Sequence, residues 1–174
     1  KASTGNLAVH LEKLEAGVSV VQIVGEFEDK LNAADLTLLI QKPETPVYVM
    51  ADGRHFWRVI DNLMNNICKY AQPGTRVYVD LRENGGQVEL IFRNTSRYPL
   101  NISSEELMER FVRGDESRNT EGSGLGISIA KSLMELMGGS FMLYVDGDLF
   151  KVVLGFAQME EEKEPVSYTH LRAH

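Results

Sequence analysis

Gly122, Gly124 and Gly126, in the run EGSGLGISI at 121–129, lead straight into an apolar period of helical spacing, Leu125, Ile129, Leu133 and Leu136. Such a segment has to open as a loop directly onto a helix N-terminus. The glycines free the backbone for positive φ and for close approach by a ligand. Unpaired N–H groups and the positive dipole end at that helix start attract an anion, most often phosphate. The run contains no GK[ST], which excludes a P-loop, and no strand leads directly into it, which excludes the dinucleotide-binding fingerprint.

Upstream, NLMNNICKY at 62–70 lies in a second helical pattern that starts at Asp52, a good N-cap, and ends near Ala71 before Pro73 and Gly74. At 100° per residue, Phe56, Val59, Ile60, Leu63 and Ile67 form one apolar stripe. Asn62, Asn66 and Lys69 fall within roughly 60° of one another on another face, with Tyr70 at the seam. An Asn carbonyl suits Mg²⁺, which keeps several waters and shares substrate phosphates. Lys69 can neutralise phosphate charge, and Tyr70 can pack on a base. Cys68, within the same helix near the apolar stripe, reads as a small buried hydrophobe.

With the asparagine helix and the glycine loop in this order, the chain resembles the catalytic and ATP-binding domain of sensor histidine kinases, in the wider Bergerat-fold ATPase group. NLMNNICKYA resembles that family's N-box, MERFVRG its F-box, GSGLGISIAKSL its G2 box, and MGGSF its final glycine pair, over roughly residues 47–157. The resemblance implies ATP and Mg²⁺ as ligands. Asn66 would be the main metal ligand with Asn62 supporting it, Lys69 would contact phosphate, and Tyr70 would flank adenine. Arg113 and Arg118 would reach the phosphates from a lid, and the run Gly122, Ser123, Gly124, Leu125, Gly126 would wrap the triphosphate. The catalytic residues implied are Asn66, Lys69 and Arg113.

One family motif is missing. Between the N-box and F-box the family carries a DxGxG box, whose aspartate accepts a hydrogen bond from the adenine amine. Here the chain reads FRNTSRYPLNI, with Asn94 at the matching place and no glycine near it. An Asn amide offers one acceptor and one donor to a purine edge but no charge.

The fold implied is α+β: a two-layer sandwich with about three helices on one face of a mixed, mostly antiparallel sheet. The elements expected are an extended piece at Leu7–Leu11, a helix over Val18–Ala33 (stripe Val20, Val24, Phe27, Leu31), and strands at Leu36–Gln41 and Val47–Met50. After the asparagine helix come two hairpins, Arg76–Leu81 with Gln87–Phe92 turning at Asn84–Gly85, and Ser140–Val145 with Leu149–Phe156 turning at Asp146–Gly147. Gly138 and Gly139 end the glycine-loop helix. Between Asn94 and Glu121 the chain reads as a long irregular lid holding one short helix, Glu105–Phe111, capped by Ser103, and then the polar run RGDESRNTEGSG.

Composition fits one soluble domain: 174 residues, 43% hydrophobic and 25% charged. A net charge of −7 and a pI near 5.1, with no basic stripe, exclude nonspecific nucleic-acid binding. No apolar run has transmembrane length, so no membrane contact is expected of this domain, and a cytoplasmic location is implied. Residues 1–6, KASTGN, resemble the end of a dimerisation-domain helix, 7–159 would be the catalytic domain, and 160–174 an acidic linker and tail. VSYTHLRAH at 166–174 resembles a translated artefact and is expected to be disordered.

In hydrolysing relatives a carboxylate one turn before the magnesium asparagine activates water. Asn62 holds that place and cannot act as a base, and Asp61 points about 100° away. Transfer to a nucleophile brought from elsewhere is therefore expected. His10, His55, His170 and His174 do not match the family's acceptor pattern, so the acceptor would lie in a separate dimerisation domain. The resemblance also implies a response regulator as partner, a homodimer at full length and a monomeric fragment. Two other readings stay open: a nucleotide-binding pseudokinase, and a serine kinase of the anti-sigma-factor type.

Overall fold

Four segments whose side chains alternate in burial, 76–84, 87–95, 140–146 and 149–159, pair into the ladder on which the molecule is built. The computed structural model describes residues 8–117 and 125–160. In chain order these form β1 (Glu12–Glu15), α1 (Ala16–Gly25), α2 (Glu28–Ala33), β2 (Thr37–Gln41), β3 (Tyr48–Ala51) and α3 (Gly53–Tyr70), then β4 (Arg76–Asn84) and β5 (Gln87–Thr95). After them come α4 (Ser104–Ser117), α5 (Leu125–Leu136), β6 (Ser140–Asp146) and β7 (Leu149–Met159).

The seven described strands lie in the order β1-β3-β7-β5-β4-β2, with β6 also on β7. β2 runs parallel to β4, and every other described pair is antiparallel, as expected of a mixed sheet. Val77, Val79 and Leu81 of β4, Val88, Leu90 and Phe92 of β5, and Phe150, Val152, Leu154 and Phe156 of β7 are buried. They join the apolar sides of α1, α3 and α5 in a single core. Phe56 of α3 meets Phe156 of β7 with ring centroids 5.5 Å apart and tilted by 50°, an arrangement aromatic pairs favour.

Several expected boundaries are corrected. The helix expected over Val18–Ala33 is two helices. Phe27 N–H bonds to the Val24 carbonyl at 3.0 Å, three residues back, which tightens and ends α1, and the Phe27 carbonyl then accepts from Leu31 N–H at 2.8 Å at the start of α2. Val20, Val24, Phe27 and Leu31 are nevertheless all buried. The first strand is Glu12–Glu15 rather than Leu7–Leu11, because it is Leu14 and its neighbours that register with β3. Glu15 then caps α1, accepting from Val18 N–H at 2.9 Å and Gly17 N–H at 3.2 Å. Both hairpin turns sit one residue later than expected. Asn84 pairs with Gln87, so Gly85 and Gly86 make the first turn at φ 59° and 86°, and Asp146 pairs with Leu149, leaving Gly147 and Asp148.

The lid helix is also longer than expected, because RGDES continues α4 to Ser117. Ser103 Oγ accepts from Glu106 N–H at 3.1 Å, and Glu105 and Glu106 in the first turn suit the helix dipole. Glu106–Arg110 and Glu109–Arg113 pairs at i,i+4 support the extension. With the first expected helix divided into α1 and α2, the described residues hold five helices, the expected lid helix α4 among them. Residues 1–7 and 161–174, which include the expected linker and tail, lie outside the described residues.

α5 ends as expected, in a Schellman motif. Gly138 takes φ 84°, its N–H bonding to Glu135, while Gly139 N–H bonds to the Met134 carbonyl at 2.9 Å. A Cβ on Gly139 would lie 2.6 Å from the Gly155 carbonyl oxygen of β7 and 2.7 Å from Met134 Cε. One of those is backbone, so the α5–β6 corner would have to move. Gly139→Ala is expected to cost about 1–3 kcal/mol as an overpacking change. Urea unfolding followed by circular dichroism checks this as a lowered midpoint with an unchanged slope.

Candidate nucleotide site

α3 carries most of the candidate residues, and its orientation is set at its first turn. Asp52 is 5% exposed and caps the helix, accepting from Arg54 N–H at 3.0 Å and His55 N–H at 3.3 Å. Its other oxygen accepts from His10 N–H at 2.8 Å, tying the chain before β1 to the helix start. Burial raises the Asp52 carboxyl pKa, but these backbone donors and the nearby His55 ring outweigh it, and the net shift is downward from 3.8. The His55 ring reaches the Ala8 carbonyl at 3.2 Å, consistent with a structural histidine.

Phe56, Val59, Ile60, Leu63, Met64 and Ile67 of α3 are all 2% exposed or less. Burying such side chains contributes ~1.5–3 kcal/mol each. The apolar stripe is thereby committed to the core, and Asn62, Asn66 and Tyr70 are left half-buried on another side. Asp61 and Asn65 turn toward α2. Asn65 Nδ2 donates to Asp61 Oδ2 at 3.3 Å, and Lys30 Nζ donates to Asn65 Oδ1 at 2.8 Å. Burial pushes the Asp61 carboxyl up, partly offset by Lys30. Cys68 is half-buried and packs on the core, and burial raises its thiol pKa.

A cavity of about 220 Å³ opens where α3, β5 and α4 meet. Asn66 and Tyr70 line it from α3, Leu107 and Phe111 from α4, and Phe150 from β7, with Asn94, Ser96, Tyr98 and Leu100 completing the wall. Its size lies below the roughly 300–1,000 Å³ of pockets that enclose drug-sized ligands, so it suits a planar ring rather than a whole nucleotide. The segment after β5 is held in place by main-chain bonds. Arg97 N–H bonds to the Tyr70 carbonyl at 2.8 Å, Ser96 N–H to the Asp148 carbonyl at 2.7 Å, and Leu100 N–H to the Gly147 carbonyl at 3.3 Å. Ser96 Oγ accepts from Tyr98 N–H at 3.1 Å, closing a local turn where no glycine is present.

Asn94 lies on β5 rather than at the start of the irregular stretch, because the strand runs three residues beyond its expected end. It follows Val88, Leu90 and Phe92 on the inward side of the strand and is 4% exposed. Its Oδ1 has no hydrogen-bond partner. A buried acceptor left unpaired costs about 1–3 kcal/mol, so a site that keeps one is suited to a ligand donor.

The other expected residues do not all converge. Asn62 lies one turn above Asn66 against α5, where a Cβ on Gly126 would touch Asn62 Cβ at 3.4 Å and Cγ at 3.5 Å. Asn62 Nδ2 is buried and unpaired, so in this orientation it offers a donor. Gly126 thus sits within the first turn of α5, where it allows close helix–helix approach. Lys69 is exposed and does not line the cavity. Arg113 faces a separate groove between α4 and α5, beside Ser128 and Lys131, with Glu109 at 3.9 Å. Leu125 starts α5, whereas Arg118, Gly122, Ser123 and Gly124 lie outside the described residues. Among the described residues no cluster of three His, Cys, Asp or Glu could hold a metal, so any cation here would rest on carboxamide oxygens, ligand oxygens and water. No described helix is long and apolar enough to cross a membrane.

Sequence reasoning did not foresee Leu100, Leu107, Phe150 or Ser96 as walls of the cavity. They come from three separate stretches, and no local spacing links those stretches. Phe111 and Met108 of the lid helix both pack on the core, and Phe111 also reaches the cavity.

Comparison with known proteins accords with this geometry. The family model described as "Histidine kinase-, DNA gyrase B-, and HSP90-like ATPase" matches residues 51–167. The chain is 29% identical over 138 residues to the probable sensor kinase SilS of Salmonella typhimurium, covering 78% of this chain and 28% of that protein. It is 34% identical over 110 residues to the probable sensor protein PcoS of Escherichia coli, covering 61% of this chain and 24% of that one. The chain therefore spans about a quarter of the length of these two relatives. In fold it matches the catalytic domain of histidine kinase ThkA, in a nucleotide-free form, with a TM-score of 0.72 at 18% identity, over 86% of this chain and 96% of that one.

Since Asp52 anchors the helix that carries Asn62, Asn66 and Tyr70, its loss should be visible in stability. Asp52→Ala is expected to cost about 0.5–2 kcal/mol. The wild-type carboxylate contributes fully above its unfolded pKa, and that contribution is lost as pH falls through the still lower folded value. Thermal melts from pH 7 to pH 3 should therefore show the wild type converging on the variant only at the acid end.

Proposed function

Because the chain belongs to the histidine kinase-, DNA gyrase B- and HSP90-like ATPase family, we propose that it is the ATP-binding catalytic unit of a sensor histidine kinase, transferring the γ-phosphoryl group of ATP to a histidine on a dimerisation domain. The observation that carries this reading is the cavity lined by Asn66, Tyr70 and Asn94, the last with a buried Oδ1 that has no hydrogen-bond partner. Tyr70, Leu107, Phe111 and Phe150 supply faces for a planar base, and Asn94 Oδ1 supplies the acceptor that an exocyclic amine requires. The base fills the cavity, and the triphosphate runs out of it along α3 toward the start of α5.

Asn66 would hold Mg²⁺ through its carbonyl oxygen, with Asn62 one turn away as its support. The ion, when bound, would neutralise charge on the phosphate oxygens. Lys69 contacts phosphate from the exposed side of α3, and Arg113 does so from α4. The assignments to Arg118, Gly122, Ser123, Gly124, Leu125 and Gly126 rest on the motif alone: loop N–H groups at a helix start that wrap phosphate. Transfer forms a bond from phosphorus to an imidazole nitrogen and breaks the bond to the β–γ bridging oxygen, leaving ADP. Nothing in this scheme requires a carboxylate base, and Asp61, the nearest candidate, is engaged with Asn65 on the far side of α3. Catalysis is positioning and charge neutralisation.

The partners proposed are the dimerisation domain that carries the acceptor, a response regulator that receives the phosphoryl group, and a second copy of the kinase at full length. The chemistry of the product separates this reading from a serine kinase, because phosphohistidine is acid-labile and phosphoserine is not.

Calorimetric titration with ATP, with and without Mg²⁺, is the direct test. Mg²⁺-dependent binding that weakens at least tenfold in Asn66→Ala is expected, followed by transfer to a supplied acceptor domain. No binding at millimolar ATP would overturn the kinase reading and leave a module that signals by conformation alone.

A further inference from the structure

We infer that Asn94 makes the base cavity accept six-oxo purines as well as six-amino purines, so that the chain binds inosine and guanosine triphosphates alongside ATP. This rests on the reading of the cavity as a nucleobase site and extends it to the class of base admitted.

The polar side chains that line the cavity are Asn66, Tyr70, Asn94, Ser96 and Tyr98. Leu100, Leu107, Phe111 and Phe150 are apolar and cannot read a base edge. The Asn66 carboxamide and the Ser96, Tyr70 and Tyr98 hydroxyls each can donate and accept, so none of them separates a six-oxo from a six-amino edge, and Asn94 Oδ1 is buried without a partner. Asn94 is also held firmly, since its strand position registers with Val77 on one side and Phe150 on the other, both buried. Asn94 thus places a carboxamide, where a carboxylate would accept only, on a rigid strand beside the cavity.

A carboxamide carries an acceptor and a donor side by side. Adenine presents a six-amino donor next to the N1 acceptor, while hypoxanthine and guanine present a six-oxo acceptor next to an N1–H donor. Oδ1 toward the amine and Nδ2 toward N1 satisfies adenine. Turning the amide through 180° brings Nδ2 to the six-oxo group and Oδ1 to N1–H, with the same number of bonds. The terminal torsion of Asn is broad and roughly two-fold, so the turn costs little. A carboxylate at this place has acceptors only, and it would leave the six-oxo oxygen facing another acceptor. Discrimination between the two classes of base follows from that mismatch, and the amide removes it.

The experiment compares ATP with inosine triphosphate, which differ in the base only at the six position and N1, by calorimetry in the presence of Mg²⁺. In the wild type the two dissociation constants are expected within about tenfold of each other. Asn94→Asp should widen the ratio in favour of ATP by at least tenfold. Asn94→Ala removes both orientations and should weaken both nucleotides by a similar factor, at least about tenfold for the two lost bonds. This second variant keeps the test decisive if the aspartate variant does not fold. A wild-type preference for ATP of more than tenfold, or a loss in Asn94→Ala confined to ATP, would overturn the inference and leave the nucleotide site standing. Failure of the wild type to bind either triphosphate would overturn both.

Discussion

Burial of one stripe of α3 is the constraint on which the rest depends. Phe56, Val59, Ile60, Leu63, Met64 and Ile67 are taken almost wholly out of water between the sheet and the neighbouring helices. A helix committed in this way cannot roll, because any rotation would exchange apolar for polar side chains in a close-packed interior. Asn62, Asn66 and Tyr70 are consequently held at fixed angles to the core. The cap at Asp52 sets where the helix begins, and the Gly126–Asn62 approach sets how near α5 may come.

β5 shows how one strand carries both core packing and a polar side chain beside a cavity. Val88, Leu90 and Phe92 fill the core at every second position, and Asn94 continues that register with a polar group. The pleat carries it inward whatever its chemistry, since a strand cannot turn one residue outward without losing its ladder. The cost of an unpaired carbonyl oxygen is then borne at the one inward position where a cavity lies alongside. Local-rule violations of this kind concentrate at functional sites.

Much of this was legible in the chain. The alternation along 76–84 and 87–95, the turn glycines, the apolar stripe of α3 and the glycine stop after α5 are local signals, and the elements appear where those signals stand. Misplacements came from competing local effects. Both turns moved by one residue because strand pairing decides which residues are left over for the turn. Phe27 kept its place in the buried stripe while the helix broke around it, so burial periodicity survived a change in backbone. RGDES reads as a polar loop by composition, yet capping by Ser103 and two i,i+4 pairs suffice to continue α4 through it.

By itself the sequence determined the order of the elements, which face of each is apolar, and which side chains near the two motifs could hold phosphate, metal or base. Those are properties of residue type and spacing along one segment. Tertiary structure alone decided which of those candidates meet. Asn66 and Tyr70 share a cavity with Asn94, whereas Lys69 stays at the surface and Arg113 faces a different groove. Leu100, Leu107 and Phe150 join from other stretches because main-chain bonds pin 96–100 to the end of α3 and to the β6–β7 turn. Periodicity says which way a side chain points from its own element. Only the packing of elements against one another says what stands opposite.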